Sequence, residues 1–313
     1  MSGPTLVRTP GQPAEWKKIP DGMRKLWRMC LPEEEGFDVA RSLTINFLGV
    51  ATAEEAPVLR EATERLQRRS PCRAFLVVLD ETAEPGKAEL AAVTRCHGSV
   101  RDIVLEEITI RLPSGAFGQL PGLIRPLLMN DLPNHLYWAK SWPSPEQTFD
   151  AMASLCDHVV VDSRRFGQPL ANLQSVAARR AQGKRITDLG WLRLRPWRRA
   201  LAEGFERVRW LPGMPTTALI RHGKQAGAAA TLLGEWLTTR LGAKVQFDPA
   251  GDPTAPSPDG VVIATGGFEI ELAAPRQQIR VHVTTPEHCY LPFTMANSRG
   301  PDADLLAAAI DLV

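Results

Sequence analysis

The sequence has no run of about eighteen apolar residues, so it offers no candidate membrane-spanning helix. Met1 to Pro20 has no apolar core of the kind a secretion signal needs; rich in Pro, Gly and Lys, it reads as a flexible tail. The five cysteines (Cys30, Cys72, Cys96, Cys156 and Cys289) are odd in number, scattered, and never spaced CxxC. That argues against a disulfide framework or a zinc site and fits packed thiols in a reducing cytoplasm. The signatures GxGxxG after a strand, GxxxxGK[ST], GxSxG and HExxH are all missing. The six histidines show no metal-ligand spacing. No catalytic residue, metal site or cofactor is therefore assigned. Internal repeats and low-complexity tracts are absent as well.

What is present is an ordinary globular composition. In 313 residues, 44% are apolar and 23% charged, enough chain for a substantial core and for two domains. The net charge is only +2, but it is unevenly spread. Arg164 to Arg209 holds twelve Lys/Arg against three acids, a local +9 that leaves −7 on the rest of the chain. Such a basic face suits phosphates or an acidic protein surface. Nucleic acid is not expected as a partner, because no recognisable binding module accompanies the charge.

Periodicity predicts α/β architecture: two α/β domains with mixed sheets flanked by helices, spanning 41–168 and 169–313 behind a flexible 1–40 segment. Leu43–Ala51, mixing β-branched and apolar residues, reads as a strand, and Arg73–Asp80 is continuous enough in apolar residues for a strand covered on both faces. Glu89–Arg95 and Ile103–Leu112 are joined closely and should pair antiparallel, with Glu106 interrupting the alternation. Gln119–Met129 looks helical despite Pro121 and Pro126, the second of which should kink it. His135–Ala139 and Asp157–Ser163 read as strands either side of a helix at Phe149–Cys156. In the second half, a strand at Thr216–Arg221 precedes a helix at Ala226–Leu241 that stops at Gly242. The loop Asp248–Gly260 leads to a hairpin turning at Gly266-Gly267, then a strand at Ile279–Thr285 and a helix from Asp302.

The chain is organised around Thr187–Glu206. Two tryptophans and four arginines fall within nine residues here, types favoured where a protein grips a partner. Pro196 suits a first helical turn. Trp197, Leu201 and Phe205 recur at helical spacing and, with Trp191, are the expected structural anchors. Arg193, Arg195, Arg198 and Arg199 are the candidate partner contacts. Lys224, in the strand-to-helix turn His222–Gly227, is a candidate phosphate ligand. Arg95-Cys96-His97-Gly98-Ser99 groups a thiol, an imidazole and a hydroxyl, but neighbours on an extended chain point to opposite faces, so Cys96 and His97 form no dyad.

Several segments resemble one family, the glucose-6-phosphate dehydrogenase assembly proteins called OpcA. They are Pro71-Cys72-Arg73-Ala74-Phe75, Arg125-Pro126-Leu127-Leu128 through Asp131-Leu132-Pro133, Tyr137-Trp138, and Val159-Val160-Val161-Asp162-Ser163. Asp188-Leu189-Gly190-Trp191 follows with Arg193-Leu194-Arg195-Pro196-Trp197-Arg198, then Leu232-Leu233, Trp236-Leu237 and Arg240-Leu241-Gly242. The combination, in order, spans about Leu43 to Gly242. Two departures stand out: Gly190 where the family usually has Asn, and Arg198-Arg199 where it usually has Arg-Glu. The resemblance implies a non-catalytic partner that supports the assembly or activity of glucose-6-phosphate dehydrogenase in the oxidative pentose phosphate pathway. A thiol-redox link suggested for some members is not carried to any of the five cysteines, since no CxxC is present. The alternative from the residues alone is a sugar-phosphate- or nucleotide-binding enzyme or sensor using the basic 164–209 segment and Lys224.

Overall fold

The computed structural model describes residues 5–30, 39–97, 100–140, 146–275, 277–297 and 302–311. Two compact units emerge. The first is built from residues 1–161, 180–187 and 301–313, the second from 162–179 and 188–300, where the sequence suggested a single cut at 168/169.

In the first unit the chain runs through β1 (Thr5–Arg8), β2 (Gln12–Glu15), α1 (Ile19–Cys30), β3 (Val39–Arg41), β4 (Ile45–Thr52), α2 (Ala56–Leu66) and β5 (Cys72–Leu79). It continues through β6 (Lys87–His97), β7 (Val100–Leu112), α3 (Leu120–Ile124), β8 (Asn134–Trp138), α4 (Glu146–Ala153) and β9 (His158–Val161). After α5 (Pro169–Ala181), β10 (Arg185–Asp188) adds one more strand. The ten-stranded sheet has the order β1-β6-β7-β5-β4-β8-β9-β10, with β2 on β6 and β3 on β7. Its centre is parallel: β4 pairs with both β5 and β8, β5 with β7, and β8 with β9. β4 and β5 are mostly apolar and buried along nearly their whole length, as strands covered on both faces are. As expected, β6 and β7 are antiparallel.

Several expectations are corrected or extended here. Residues 5–30 are not a flexible tail. β1 and β2 pair with β6, and α1 buries Ile19, Met23, Leu26 and Cys30 along one stripe. Residues 1–4 and 31–38 of that predicted segment lie outside the described residues, as do Gly98 and Ser99. The helix expected over 119–129 is interrupted: α3 stops at Ile124 and a single 3-10 turn, Arg125–Leu127, follows. Pro126 has no amide hydrogen to continue the ladder. The short strand β10, absent from the sequence reading, extends the sheet beyond β9.

The Glu106 irregularity has a cause. Glu106 is fully buried, and its carboxylate accepts from Arg41 Nε (2.8 Å) and Arg73 Nε (2.7 Å). Glu107, the next residue on β7, accepts from Arg8 (2.7 Å). The pairs compensate two buried acids within the sheet, Glu106 with two arginines and Glu107 with Arg8, where an uncompensated carboxylate would cost several kcal/mol, roughly 3–5.

The second unit carries α6 (Leu189–Arg193), α7 (Arg195–Phe205), β11 (Thr217–Arg221), α8 (Gly227–Leu241), β12 (Lys244–Asp248), β13 (Gly260–Ala264), β14 (Glu269–Ala273), β15 (Gln278–Thr284) and β16 (Phe293–Ala296). The last helix, α9 (Asp302–Asp311), returns to the first unit. The six-stranded sheet runs β12-β11-β13-β14-β15-β16, with β11–β12 parallel and the other pairs antiparallel. Along β11, β13, β14 and β15 buried and more exposed residues alternate. The buried set Ile220, Val261, Ile263, Ile270, Leu272, Val281 and Val283 shares one core with Trp197 and Leu201 of α7 and Leu233 and Leu237 of α8. Each of these large side chains contributes roughly 1.5–3 kcal/mol by leaving water.

One buried polar contact in the first sheet bears on acid stability. His135 and His158 lie opposite each other on β8 and β9, Nδ1 to Nδ1 at 3.2 Å, and His158 Nε2 is 2.9 Å from Thr187 Oγ1. One neutral ring must donate to the other, because two protonated rings would present hydrogen to hydrogen. Burial lowers the His135 pKa; burial, His135 and Arg185 push His158 down to about 4. The unfolded chain therefore takes up these protons first, near the ordinary histidine value of 6.5, while the fold resists them. Stability should fall as pH drops from about 6.5 to about 4, by up to about 1.4 kcal/mol per pH unit from His158, with His135 acting in the same direction. Denaturant melts from pH 7 to 4.5 should show a shallower decline for His158→Gln than for the parent protein; identical slopes would remove the pair as the source.

Candidate functional site

The arginine-rich stretch is anchored by two aspartates at the ends of neighbouring strands. Asp162 follows β9 and Asp188 closes β10. Asp188 Oδ1 caps α6 by accepting from Gly190 N (2.8 Å), and it also accepts from Ser163 N (3.0 Å). Asp162 is fully buried. It accepts both arms of Arg193, Nη1 to Oδ1 at 2.7 Å and Nη2 to Oδ2 at 3.0 Å, as well as Arg164 Nη2 at 2.9 Å. Burial alone would raise the Asp162 carboxyl, but Arg193 and Arg164 outweigh it and hold it below the ordinary value. Asp188 goes the other way: burial raises its pKa against the hydrogen bonds from Ser163 and Gly190, and the Asp162 charge adds to the rise. Gly190 fits this site by size, since a Cβ there would collide with Ser163 Oγ.

This places the predicted residues unequally. Arg193 is not a surface contact: its side chain is 6% exposed and locked to Asp162. Arg198 is half-buried, with its guanidinium 3.6 Å above the Trp191 ring and its Nη2 donating to Trp191 O at 3.3 Å. Burial, then the neighbouring Arg195, lowers its pKa. Arg195 and Arg199 are exposed at the start of α7. Trp197 and Leu201 are wholly buried, as anchors should be. Trp191 and Phe205 are half-buried against the same core, and Phe205 sits edge-on to Trp210 (6.4 Å) and Phe268 (5.8 Å). The outward residue set is thus Arg195, Arg199 and the edge of the Trp191–Arg198 stack.

Lys224 is exposed, but its turn is not an open anion cradle. The loop after β12 covers it: Gln225 N donates to Pro253 O (3.4 Å) and Gly251 N to His222 O (3.3 Å). A Cβ on Gly223 would collide with the Asp252 carbonyl, so the chain itself fills the space a phosphate would need. The cysteines form no disulfide. Cys30, Cys72 and Cys156 are buried; burial pushes the Cys72 thiol far up and Cys156 up to about 12. Cys289 is exposed, with its Sγ 3.1 Å from His282 Nε2. Among the described residues, no group of three or more His, Cys, Asp or Glu could hold a metal ion. The sequence reading missed the Asp162–Arg193 and Asp188 anchors. Their one local signal is position: Asp162-Ser163 stands at the carboxyl end of the strand expected over Asp157–Ser163.

Residues 63–178 match a family described as glucose-6-phosphate dehydrogenase subunit, N-terminal domain, and residues 184–312 match the corresponding C-terminal domain. The chain belongs to the OpcA family of glucose-6-phosphate dehydrogenase assembly proteins. A protein of Nostoc punctiforme named OpcA after the OxPP cycle is 28% identical over 224 residues, covering 62% of this chain and 48% of that relative. The like-named protein of Synechocystis is 31% identical over 180 residues, 55% of this chain and 37% of the relative. The matched region thus spans less than half the length of these curated OpcA relatives. Among solved structures, the 3-ketoreductase KijD10 of Actinomadura kijaniata is 10% identical with a TM-score of 0.47, covering 86% of this chain and 88% of that one. That likeness is too loose to inform the chemistry of an OpcA-family site. The family's C-terminal domain match includes the whole of α6 and α7, so the arginine surface lies within one domain.

Burial sorts these arginines into two kinds, and single substitutions should separate them. Arg193→Ala leaves the buried Asp162 short of its bidentate partner and should cost about 3–5 kcal/mol in chemical denaturation. Arg195→Ala, at an exposed position, should stay within about 0.5 kcal/mol of the parent. Equal effects would contradict the placement.

Proposed function

We propose that this protein is a non-catalytic partner of glucose-6-phosphate dehydrogenase that binds the enzyme and favours its active, assembled form. Membership of the OpcA family carries this reading. The exposed Arg195 and Arg199 beside the Trp191–Arg198 stack support it, because a rigid aromatic flanked by permanently charged forks suits an acidic protein surface. The site of action would be the cytoplasm, in the oxidative pentose phosphate pathway. Activation requires differential binding: the protein must hold the active conformation more tightly than the inactive one, and each factor of ten corresponds to about 1.4 kcal/mol. Partner-induced assembly follows the same arithmetic, since whatever binds only the assembled enzyme shifts its equilibrium. The alternative, a sugar-phosphate or nucleotide site at Lys224, draws no comparable support because the loop at 251–253 fills that turn.

Titrating the dehydrogenase with this protein should raise its maximal rate or lower its apparent KM, with saturation matching the affinity measured by direct binding. No binding and no kinetic change would defeat the proposal. Charge reversal at Arg195 and Arg199 together should weaken binding about tenfold or more while leaving the melting temperature unchanged. Unaltered affinity would remove this surface from the contact.

A further inference from the structure

The edge strand β12 is self-complementary, and we infer that it joins two copies of this chain into a dimer. β12 ends the six-stranded sheet, with β11 on one side and no partner strand on the other among the described residues. Lys244 N donates to Thr216 O and Asp248 O accepts from His222 N, both at 2.9 Å. The even-numbered residues therefore direct their backbone groups toward β11, and Val245 and Phe247 direct theirs to the open edge. No proline or bulge blunts this edge, and Phe247 leaves 47% of its surface exposed.

The sequence of the strand, Lys244-Val245-Gln246-Phe247-Asp248, dictates one register. Antiparallel pairing with a second copy about a twofold axis at Gln246 sets Val245 opposite the second copy's Phe247, and Phe247 opposite its Val245. These are the residues whose N–H and C=O face outward, so each pair exchanges two hydrogen bonds, about four in all. The same register sets Lys244 against the second copy's Asp248 at both ends, on the opposite face of the sheet from the Val245–Phe247 pairs. Asp248 already accepts from Arg221 Nε (2.9 Å) and Ala250 N (3.0 Å). A carboxylate has about four acceptor sites, so Asp248 can also take the incoming ammonium and extend the Arg221–Asp248 pair across the joint. Leu219, 37% exposed, flanks Gln246 in the β11 register and adds an apolar neighbour at the axis. Shifting the register by one residue loses the charge pairing and places the closed even-numbered groups at the joint, so a single arrangement is favoured. The result is a sheet continuous across both copies, with the isologous contact that a twofold dimer requires.

Sedimentation of the full chain up to about 100 µM tests this. The account expects a species of twice the 34.4 kDa monomer mass. Val245→Pro removes one outward N–H and leaves the bonds to β11 intact; it should weaken the dimer at least about tenfold. Lys244→Glu and Asp248→Lys should each be monomeric, through acid-on-acid and base-on-base contacts at the joint. Mixed in equal amounts they should pair. The new acid at position 244 of one variant then meets the new base at position 248 of the other, and the second contact restores an unchanged Asp248 facing an unchanged Lys244. The mixture also guards against misfolding, since a variant that had lost its fold would not regain a partner. A monomer at every concentration, a dimer indifferent to Val245→Pro, or a mixture that stays monomeric would each overturn the inference. The test needs no dehydrogenase, so it stands or falls apart from the proposed function.

Discussion

The bidentate contact of Arg193 with Asp162 fixes the piece of structure on which the functional reading depends. Both groups are almost wholly removed from water, a placement that is unfavourable for either charge alone. It is tolerable because a planar fork meets a planar carboxylate and Arg164 satisfies part of what remains. Through Arg193, α6 is tied to Asp162. Asp188 caps its first turn, and Pro196 starts α7 immediately afterward. The consequence is orientation: Trp197 and Leu201 go down into the core, and the Trp191–Arg198 stack stays at the edge with Arg195 and Arg199 outward. An arginine used internally thus determines where the other arginines point.

That division recasts the basic segment from Arg164 to Arg209. Its charge suggests one uniform sticky face. In the fold, Arg193 is buried against Asp162, while Arg164 and Arg180 stay exposed but are tied back, Arg164 to Asp162 and Arg180 to the carbonyl of Ile186. Arg195 and Arg199 on α7 share the exposed charge with Lys184, Arg185, Arg207 and Arg209; what sets the α7 pair apart is the Trp191–Arg198 stack beside it. Under the proposed function, family membership names glucose-6-phosphate dehydrogenase as the enzyme to test. The geometry supplies a rigid place on this chain where such an enzyme could be met.

How much was legible in the sequence depended on whether the deciding contact was local. The hairpin at Gly266-Gly267, the strand–helix succession of the second unit and the anchoring of Trp197 and Leu201 all follow from short-range periodicity, and the structure has them. So does the antiparallel pairing of β6 and β7. Arg193 was misplaced because its partner lies 31 residues away, and nothing within a turn of Arg193 reveals a buried acid. Glu106 looked like an error in an alternating strand until Arg41 and Arg73 arrived from two other strands. The first helix is a different failure. Ile19, Met23, Leu26 and Cys30 carry a plain helical stripe, but the Pro, Gly and Lys content around it outweighed the pattern. β10 offered only four residues with one strongly apolar member, too little for any periodic signal.

The central claim is that the α6–α7 surface, set by the buried Arg193–Asp162 contact, meets glucose-6-phosphate dehydrogenase. Hydrogen exchange of this chain, free and saturated with the dehydrogenase, measures that most directly. The account predicts slowed exchange concentrated in Leu189–Phe205. Clear protection elsewhere on the chain, with Leu189–Phe205 unchanged, would contradict it.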